Sequence, residues 1–450
     1  MSGLQIYNSL SRQKETFIPL NGKQVGMYVC GVTVYDHCHV GHARVMVVFD
    51  TIYRWLMQQG FTVSYVRNFT DVDDKIIQRA NLANINIDEL TNTMIDAFHR
   101  DMDALGCLRP SLEPRATTHM PEMIAMIEVL IEKGFAYVSE VGDVLYAVRK
   151  FKDYGQLSGK NIDDLESGSR VDVDHHKRDP LDFVLWKQAK PDEPSWDSPW
   201  GKGRPGWHIE CSAMSCKHLG TSFDIHGGGM DLKFPHHENE IAQARAANGG
   251  GFAKYWLHNG FVNINAEKMS KSLGNFFTIA EVLEKYHPEV LRMFILSTHY
   301  RSPLDYSDAA LNVAKAGLDR LYESKRKFLD VQAGALPQAF IDAMNDDFNT
   351  AEAVAILFET CRALNKQYDE TLAASFVAMS QMLNILKIEP DVWFQGEYTD
   401  NGWIEAKLLA RDAAKKAKDY ATADKIRDEL LGQGIMLEDS EEGTRWKKVS

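Results

Sequence analysis

Two short motifs contain residues whose types and spacing suit the chemistry of phosphates. The first is His39-Val40-Gly41-His42, in which the two histidines stand three residues apart and share one side of a helix start. The first turn of a helix presents unpaired backbone N–H groups and a partial positive charge, and glycine lets a ligand approach the backbone closely. His39, Gly41 and His42 are therefore predicted to bind nucleotide phosphates, although a structural role would explain either histidine alone equally well.

The second motif is Lys268-Met269-Ser270-Lys271-Ser272, in a glycine- and serine-flanked stretch typical of a loop. Its two ammonium groups, on Lys268 and Lys271, can follow one polyphosphate and interact more strongly as charge develops on departing pyrophosphate. Such a loop can also close over a site and exclude water. An exposed basic loop without function is the alternative, and it is weaker beside the first motif. Together the two motifs indicate activation of a carboxylate by ATP.

A third feature is the run Gly227-Gly228-Gly229-Met230-Asp231, which follows a predicted strand from Ser222 to His226. Backbone without side chains suits a nucleoside lying flat against Gly229, and Asp231 is then placed to accept hydrogen bonds from ribose hydroxyls. The alternative is a tight turn with a solvated aspartate.

The surrounding pattern predicts the sheet that these motifs need. Val25 to Val29 has the composition of a strand, an amphipathic helix runs on to Gln59, and Phe61 to Val66 has the composition of a second strand. A strand–helix–strand unit implies a right-handed crossover and a parallel sheet, whose ligands lie at the carboxyl ends of the strands. We therefore predict an α/β fold with a Rossmann-like, parallel-sheet catalytic domain.

The chain divides into four predicted parts. In chain order they are a catalytic domain in two segments (1–113 and 206–308), a connective insertion between those segments (114–205), a helical bundle (309–390), and a linker with a small carboxyl-terminal domain of two helices and a hairpin (391–450).

Composition narrows the class of protein. The chain has 450 residues, 44% of them hydrophobic, and a net charge of −13, which argues against a protein that coats nucleic acid indiscriminately. No secretory signal or membrane span is recognisable. Six cysteines are too few for a disulfide framework in a chain of this length and fit a reducing cytosol, where they are free thiols or metal ligands.

Four residues could form a metal site. Cys30 at a strand end and Cys211 on the predicted helix after Trp207 should reach the same sheet edge, and His236 and Glu240, four residues apart on a predicted helix from His236 to Ala247, share one face. Two thiolates, an imidazole and a carboxylate suit Zn²⁺. Taken alone, the His–Glu spacing is more often a surface pair.

The first two motifs resemble the HIGH and KMSKS signatures of class I aminoacyl-tRNA synthetases, with Val40 where isoleucine is usual. Three longer blocks, Met27 to Asp36, Gly206 to Ser212 and Phe234 to Glu240, resemble cysteinyl-tRNA synthetases, and the similarity spans nearly the whole chain. The resemblance implies zinc at Cys30, Cys211, His236 and Glu240. It also implies that Thr70 contacts the ammonium group of the amino acid and that Trp207 walls its side chain, with core packing as the alternative for Trp207.

The resemblance implies an enzyme that activates L-cysteine with ATP and Mg²⁺ and transfers it to tRNA(Cys), as a monomer in the cytoplasm. It also implies that the bundle and the small domain bind the tRNA, the latter at the anticodon. Zinc bound by the substrate sulfur would select cysteine over serine far better than the roughly hundredfold that an apolar pocket achieves. Two alternatives are a ligase that joins cysteine to an amino sugar and a nucleotide- or tRNA-binding protein without activity. The segment Trp403 to Ser450 argues against the first, and the complete set of motif residues argues against the second.

Overall fold

The computed structural model describes residues 3–162, 176–191, 193–264, 267–268, 276–396, 402–440 and 443–448. The chain divides into two compact units, Met1–Ala314 with Leu336–Ile356 and Lys315–Ala335 with Leu357–Ser450. Within the described ranges, no helix has the length and apolar character needed to cross a membrane.

A four-stranded parallel sheet forms the centre of the first unit and confirms the predicted α/β fold. Its strands, in spatial order, are β10 (Ala253–Asn259), β9 (Phe223–Gly229), β3 (Gln24–Thr33) and β4 (Thr62–Thr70). The predicted strand–helix–strand unit is β3, α1 (Val40–Gln58) and β4, although both strands run four residues beyond their predicted ends. Aromatic and β-branched residues fill these strands because both faces of the sheet are covered.

Helix α1 is amphipathic, and its apolar face packs on the sheet. Val47, Ile52 and Leu56 are fully buried. The ring of Phe49 lies so close to Gly227 of β9 that a Cβ there would approach a ring carbon to 2.2 Å. Part of the glycine run is therefore required by helix–sheet packing.

The predicted insertion contains α4 (Met120–Glu132) and a four-stranded antiparallel sheet. The strands are β5 (Ala136–Val138), β6 (Val144–Tyr146), β7 (Phe183–Gln188) and β8 (Gly203–Pro205). The predicted hairpin at Gly142 joins β5 to β6, with φ of 91° at the glycine. Met123 and Trp186 of the insertion share one hydrophobic core with Ile209 and Trp256 of the catalytic segments.

Several short elements of the first unit had no recognisable pattern in the sequence, because each is too brief to show a period. They are β1 (Gln5–Asn8), β2 (Gln13–Thr16), β11 (Val262–Ile264), β12 (Glu267–Lys268), α7 (Ile279–Leu283), α8 (Pro288–Leu296), β13 (Leu304–Tyr306) and α10 (Gln338–Asn345). The longer helices do follow from the sequence pattern: helical periods around Ile76 to Leu82 and from Asp88 to Leu105 correspond to α2 (Asp74–Ala83) and α3 (Ile87–Ala104), and the helices predicted after Trp207 and from His236 are α5 (Trp207–Leu219) and α6 (Glu238–Asn248).

The remaining helices include those of the second unit. They are α9 (Asp308–Lys325), α11 (Thr350–Lys366), α12 (Glu370–Leu383), α13 (Pro390–Gln395), α14 (Gly402–Lys416) and α15 (Tyr420–Gly432). The predicted two helices and hairpin at the carboxyl end are α14, α15 and the pair β14 (Ile435–Ser440) and β15 (Gly443–Lys448). Helix α13 lies where the sequence suggested only a linker, because Pro390 stands at a first helical position that tolerates proline.

Two predicted boundaries near the site are wrong. The run Gly227 to Gly229 does not follow the strand but forms its last three residues, since β9 is buried throughout and glycines are needed against its neighbours. The helix expected from His236 begins at Glu238, because the chain from Lys233 to His237 forms a wider turn in which Phe234 is extended (φ −144°, ψ 133°).

Candidate functional site

A cavity of about 720 Å³ lies at the carboxyl ends of β3, β9 and β10, where a parallel sheet is expected to hold its ligand. It brings together residues that are far apart in the sequence. His39 and His42 line it, as do Trp207, Asp231 and Lys75.

His39 and His42 form a stacked pair held by the backbone. His39 is the N-cap of α1, and its Nδ1 accepts a hydrogen bond from the backbone N–H of Gly41 at 3.1 Å. Nδ1 of His42 accepts from the backbone N–H of His39 at 3.2 Å, and the two ring centroids are 3.9 Å apart. Because each Nδ1 is an acceptor, each neutral ring carries its proton on Nε2, which makes both rings hydrogen-bond donors.

Gly41 and Gly229 are both packed against side chains of the predicted nucleotide site, His39 and Asp231. A Cβ at Gly41 would meet the His39 ring at 2.8 Å, and one at Gly229 would meet Oδ1 of Asp231 at 2.5 Å. Both glycines line the cavity, and the Asp231 side chain is exposed. The two glycines thus allow the side chains of His39 and Asp231, as well as a ligand, to lie close to the backbone.

The lysine motif is described only at its start. Lys268 pairs through its backbone with Asn263, which places β12 beside β11 at the cavity wall formed by Val262. Lys271 lies outside the described residues.

Cys30, Cys211, His236 and Glu240 form a buried group, referred to below as the metal group, whose possible ligand atoms all lie within 4.8 Å of one another. The two sulfurs are 3.6 Å apart, and Nε2 of His236 is 3.0 Å from Oε1 of Glu240. Four elements contribute: β3, α5, the turn before α6, and α6 itself. This donor set suits a tetrahedral Zn²⁺ ion.

A bulge in β3 positions Cys30. The register between β3 and β4 shifts between Val29 and Val32, and the backbone N–H of Gly31 bonds Oδ1 of Asn68 at 2.9 Å. A Cβ at Gly31 would lie 1.6 Å from the carbonyl oxygen of Asn68, so only glycine fits. The sulfur of Cys211 is 3.7 Å from the same Asn68 side-chain oxygen.

Four further histidines, three of them buried and one half-buried, surround the metal group, and the sequence patterns did not indicate them. Nε2 of His237 lies 3.3 Å from the Cys30 sulfur and Nε2 of His226 lies 2.7 Å from Glu240, so these two with Cys30 and Glu240 form a second possible ligand set. The other two are His258, which is buried, and His208, which is half-buried. His226 directly precedes the glycine run and His237 follows His236, which is the signal that could have identified them.

One set of tautomers satisfies the chain of contacts behind Cys30. Ser9 lies 2.8 Å from Nδ1 of His258, and Nε2 of His258 lies 2.8 Å from Nδ1 of His237. If the serine hydroxyl donates to His258 and His258 donates to His237, then His237 can donate its Nε2–H to the Cys30 sulfur. Such outer contacts orient metal ligands.

Electrostatics within this region favours a charged carboxylate at Glu240 and a neutral imidazole at His208. Burial acts to raise the pKa of Glu240, but the imidazoles of His226 and His236 outweigh it and hold that pKa well below its usual range. Burial lowers the pKa of His208 to about 3, with a smaller contribution from His236. Glu240 is therefore available as an anionic ligand at neutral pH.

Trp207 and Thr70, the two residues predicted to contact the amino acid, differ in exposure. Trp207 is 39% exposed, lines the cavity, and stacks on His236 with ring centroids 4.2 Å apart, so it is not a core residue. Thr70 is buried at the end of β4 and donates its hydroxyl to Oε2 of Glu210 at 2.6 Å. Burial raises the pKa of Glu210 well above its usual range.

The other four cysteines lie outside the metal group. Cys38, Cys107 and Cys361 are buried and Cys216 is half-buried, and all are free thiols. They are therefore free thiols and not ligands of the metal group, the two possibilities that the sequence left open.

Family comparisons agree with the geometry. Residues 16–316 match the family of tRNA synthetases class I (C) catalytic domain, and residues 339–388 match the DALR domain. The chain is 57% identical to a cysteine–tRNA ligase of Thioalkalivibrio sulfidiphilus, and the match covers 99% of this chain and 100% of the relative. Cysteine–tRNA ligases of Hydrogenovibrio crunogenus and Methylococcus capsulatus are 56% and 55% identical over the same shares.

Solved structures share the fold at low identity. A ternary complex of Agrobacterium radiobacter LeuRS with tRNA and LeuAMS has a TM-score of 0.59 at 12% identity, covering 80% of this chain and 84% of that one. Mycobacterium tuberculosis methionyl-tRNA synthetase bound by methionyl-adenylate has a TM-score of 0.54 at 16% identity, covering 80% and 82%. They support the class I fold alone.

Proposed function

The chain belongs to the cysteine–tRNA ligases, class I synthetases that activate cysteine with ATP and charge tRNA, and we propose that a zinc ion gives this active site its selectivity for cysteine. The metal group is the observation that supports this proposal, because its two thiols, imidazole and carboxylate meet in a buried pocket next to the cavity. Zinc held there would bind the substrate as a thiolate, whereas a serine hydroxyl is a far poorer ligand near neutral pH.

Of the two possible ligand sets, the one with Cys211 and His236 is the more suitable. His236 lies under Trp207, which lines the cavity, so a substrate sulfur could reach a metal on that side. His226 instead stacks on buried Trp256, with ring centroids 4.4 Å apart. His226 and His237 would then act as outer residues that orient Glu240 and Cys30.

The amino acid would lie between the metal group and the start of α1. Trp207 would wall its side chain, and Thr70, oriented by its hydrogen bond to Glu210, would contact the ammonium end. The carboxylate of cysteine would then face the α-phosphorus of ATP, which a class I synthetase uses with Mg²⁺.

His39 and His42 would stabilise the transferring phosphates through their Nε2–H groups, and Lys268 and Lys271 would do so through their ammonium groups. The two imidazole rings need no reorientation during the reaction, because backbone N–H groups already hold both of them. Gly41, Gly229 and Asp231 would bind the nucleoside and its phosphates at the strand ends.

We also retain the predicted domain roles. The catalytic segments 1–113 and 206–308 would perform the chemistry, the insertion 114–205 would connect them, and residues 309–390 and 391–450 would bind tRNA(Cys), the latter at the anticodon. The DALR match over residues 339–388 supports the third assignment. A monomer in a reducing cytoplasm fits a site that depends on free thiols. The amino-sugar ligase and the inactive binding protein gain no support, because relatives matching 99% of the chain are cysteine–tRNA ligases.

The decisive experiment is amino-acid-dependent ATP–pyrophosphate exchange with cysteine and serine, before and after removal and restoration of zinc. We expect exchange with cysteine to exceed exchange with serine by well over ~100-fold, the limit of an apolar pocket, and to fall when zinc is removed. Cobalt substitution supplies a second measurement, since a thiolate charge-transfer band should strengthen with cysteine and not with serine. Undiminished discrimination in a protein shown to be free of zinc would contradict the proposal.

A further inference from the structure

Arg44 is a fully buried cation on α1, two residues after His42. Its Nη1 donates to the carbonyl oxygen of Phe261 at 2.7 Å, and its Nη2 donates to the carbonyl oxygens of Tyr300, at 3.2 Å, and of Ser302. Burial lowers the pKa of Arg44 to about 10, so the guanidinium stays charged at neutral pH and these hydrogen bonds are charge-assisted. One side chain of α1 thus binds the backbone at two distant places in the chain.

Both places lead into the small sheet that contains β12. Residues 259–262 line the cavity and run into β11, and Ser302 precedes β13. β11 pairs in parallel with β13 and antiparallel with β12, whose last residue is Lys268. The two entering segments also bind each other, since the backbone N–H of Gly260 donates to the carbonyl oxygen of Tyr300 at 2.8 Å. Arg44 therefore holds a wall of the cavity and the strands next to it.

The chain that follows the lysine motif also returns to the start of α1. The backbone N–H of Val40 donates to the carbonyl oxygen of Phe277 at 3.0 Å, and that of Ile279 donates to the carbonyl oxygen of Cys38 at 2.8 Å. The start of α1 is therefore bonded to the chain on both sides of the lysine motif. After the motif the bonds are between backbone groups, and before it they come from the Arg44 side chain.

The type of side chain matters at this position. A guanidinium has several N–H donors in fixed directions and can set the positions of two carbonyl groups at once, whereas an ammonium group is a point charge. Misplacement of reacting groups by about 1 Å can reduce a rate by about 10². Because His39 and His42 stand at the start of α1, a residue that joins α1 to β11 sets the distance between the two phosphate-binding motifs.

We propose that Arg44 is a positioning residue for the activation of cysteine. It holds residues 259–262 and the β11–β12 pair at a fixed distance from His39 and His42, so that one ATP molecule contacts both motifs. Arg44 is fully buried and acts through Phe261 and Val262, which line the cavity. The inference rests on the proposed function, because it takes the cavity as the place where cysteine attacks ATP.

The first test is Arg44→Lys, because lysine keeps the positive charge but cannot bind both backbone segments with two separate N–H arms. In zinc-loaded protein, kcat for cysteine-dependent ATP–pyrophosphate exchange should fall by about 10². The KM for cysteine and the zinc content should stay within about twofold of wild type, because the metal group lies on other elements.

A double variant shows whether Arg44 acts through the alignment of the two motifs. His42→Gln alone is expected to slow exchange by about 10², so two independent defects would multiply to about 10⁴. The loss in Arg44→Lys combined with His42→Gln should instead be about 10³ or less, because an imidazole that has been removed cannot be misaligned. An arginine that contributed only to stability would not produce this non-additivity.

Arg54→Lys is the matched control, because Arg54 lies on the same helix and also donates to a backbone carbonyl oxygen, that of Gly106, at 2.9 Å. Its other contact is with Asp50 at 2.9 Å, and neither partner is among the described residues that line the cavity. The control should lower the unfolding temperature as Arg44→Lys does, but leave kcat for exchange within about twofold of wild type.

Tyr300→Phe gives an independent measurement if Arg44→Lys does not fold. The buried Tyr300 donates its hydroxyl to Oδ1 of Asp347 at 2.9 Å, which holds the segment whose carbonyl groups Arg44 binds. Its loss should lower kcat for exchange by about fivefold, the equivalent of one hydrogen bond, without changing the KM for cysteine.

Unchanged kcat in a folded Arg44→Lys or Tyr300→Phe variant would overturn the inference. Losses that multiply in the double variant would do the same, and so would a fall in zinc content. Absence of cysteine-dependent exchange in the wild type would instead be a failure of the proposed function.

Discussion

The metal group and the histidine pair at the start of α1 both use imidazoles, but different forces hold them. In the metal group, side chains hold side chains: Glu240 contacts both His226 and His236, and all three are buried. At the start of α1, backbone N–H groups hold the rings of His39 and His42. A buried charge that loses its partner costs about 3–5 kcal/mol, whereas a lost helix cap costs about 1 kcal/mol. Substitutions in the metal group should therefore reduce both activity and stability, whereas substitutions in the histidine pair should reduce activity with little effect on stability.

The largest effect is expected for Cys211→Ser. This change removes a thiolate from the metal group, so zinc content and cysteine-dependent exchange should both fall. Exchange should fall by more than about 100-fold, because substitution of residues that only support metal ligands already reduces metal affinity or activity by about 10–100-fold. Zinc analysis, exchange kinetics and thermal unfolding of the same sample show whether metal content, activity and stability fall together. Cys216→Ser is the control, because Cys216 lies on the same helix but outside the metal group, where its sulfur accepts a hydrogen bond from Asn248 at 3.2 Å. Full zinc content with normal cysteine affinity in the Cys211 variant would refute the assignment.

An intermediate effect is expected for His39→Asn and His42→Gln. Asparagine is a good N-cap and glutamine suits the third position of a capping box, so both variants keep the helix start but lose the imidazole donors. Exchange should slow by about 10², while zinc content and the unfolding temperature stay near wild type. A loss of zinc or a large loss of stability would show that the two regions are not separate, and undiminished exchange would remove both histidines from the mechanism.

The smallest effect concerns Asp101 on α3, a partly buried carboxyl that lacks the close imidazoles of Glu240. Burial raises its pKa to about 6, and the charges of His37 and Arg100 offset this only in part. A raised carboxyl pKa means that stability is highest below the unfolded pKa and is lost as pH rises through about 6. Asp101→Asn should therefore raise the free energy of unfolding by about 1 kcal/mol at pH 7.5, after a discount for solvent screening, and by nothing near pH 3.

Urea unfolding at the two pH values measures this difference. Equal stabilisation at both would point to a change in packing instead of the charge, and destabilisation at pH 7.5 would show that ionised Asp101 has a favourable partner.

Much of this protein could be predicted from local sequence. The strand–helix–strand unit and the two terminal helices with their hairpin follow from hydrophobic period, and the phosphate residues from two contiguous motifs, because these features depend on neighbours a few residues apart. The resemblance to a family supplied the metal ligands. The position of the glycine run within β9 could not be predicted in this way, since Phe49 approaches Gly227 from a helix that lies far away in the sequence.

Sequence alone determined the residue types that this chemistry needs: two thiols, a carboxylate, and histidines at a helix start. Only the tertiary structure decided that a bulge at Gly31 turns Cys30 toward Cys211 and that four further histidines surround the metal group. The physical reason is that burial, electrostatic pairing and repulsion depend on distance in space, and the side chains concerned come from segments up to about 200 residues apart.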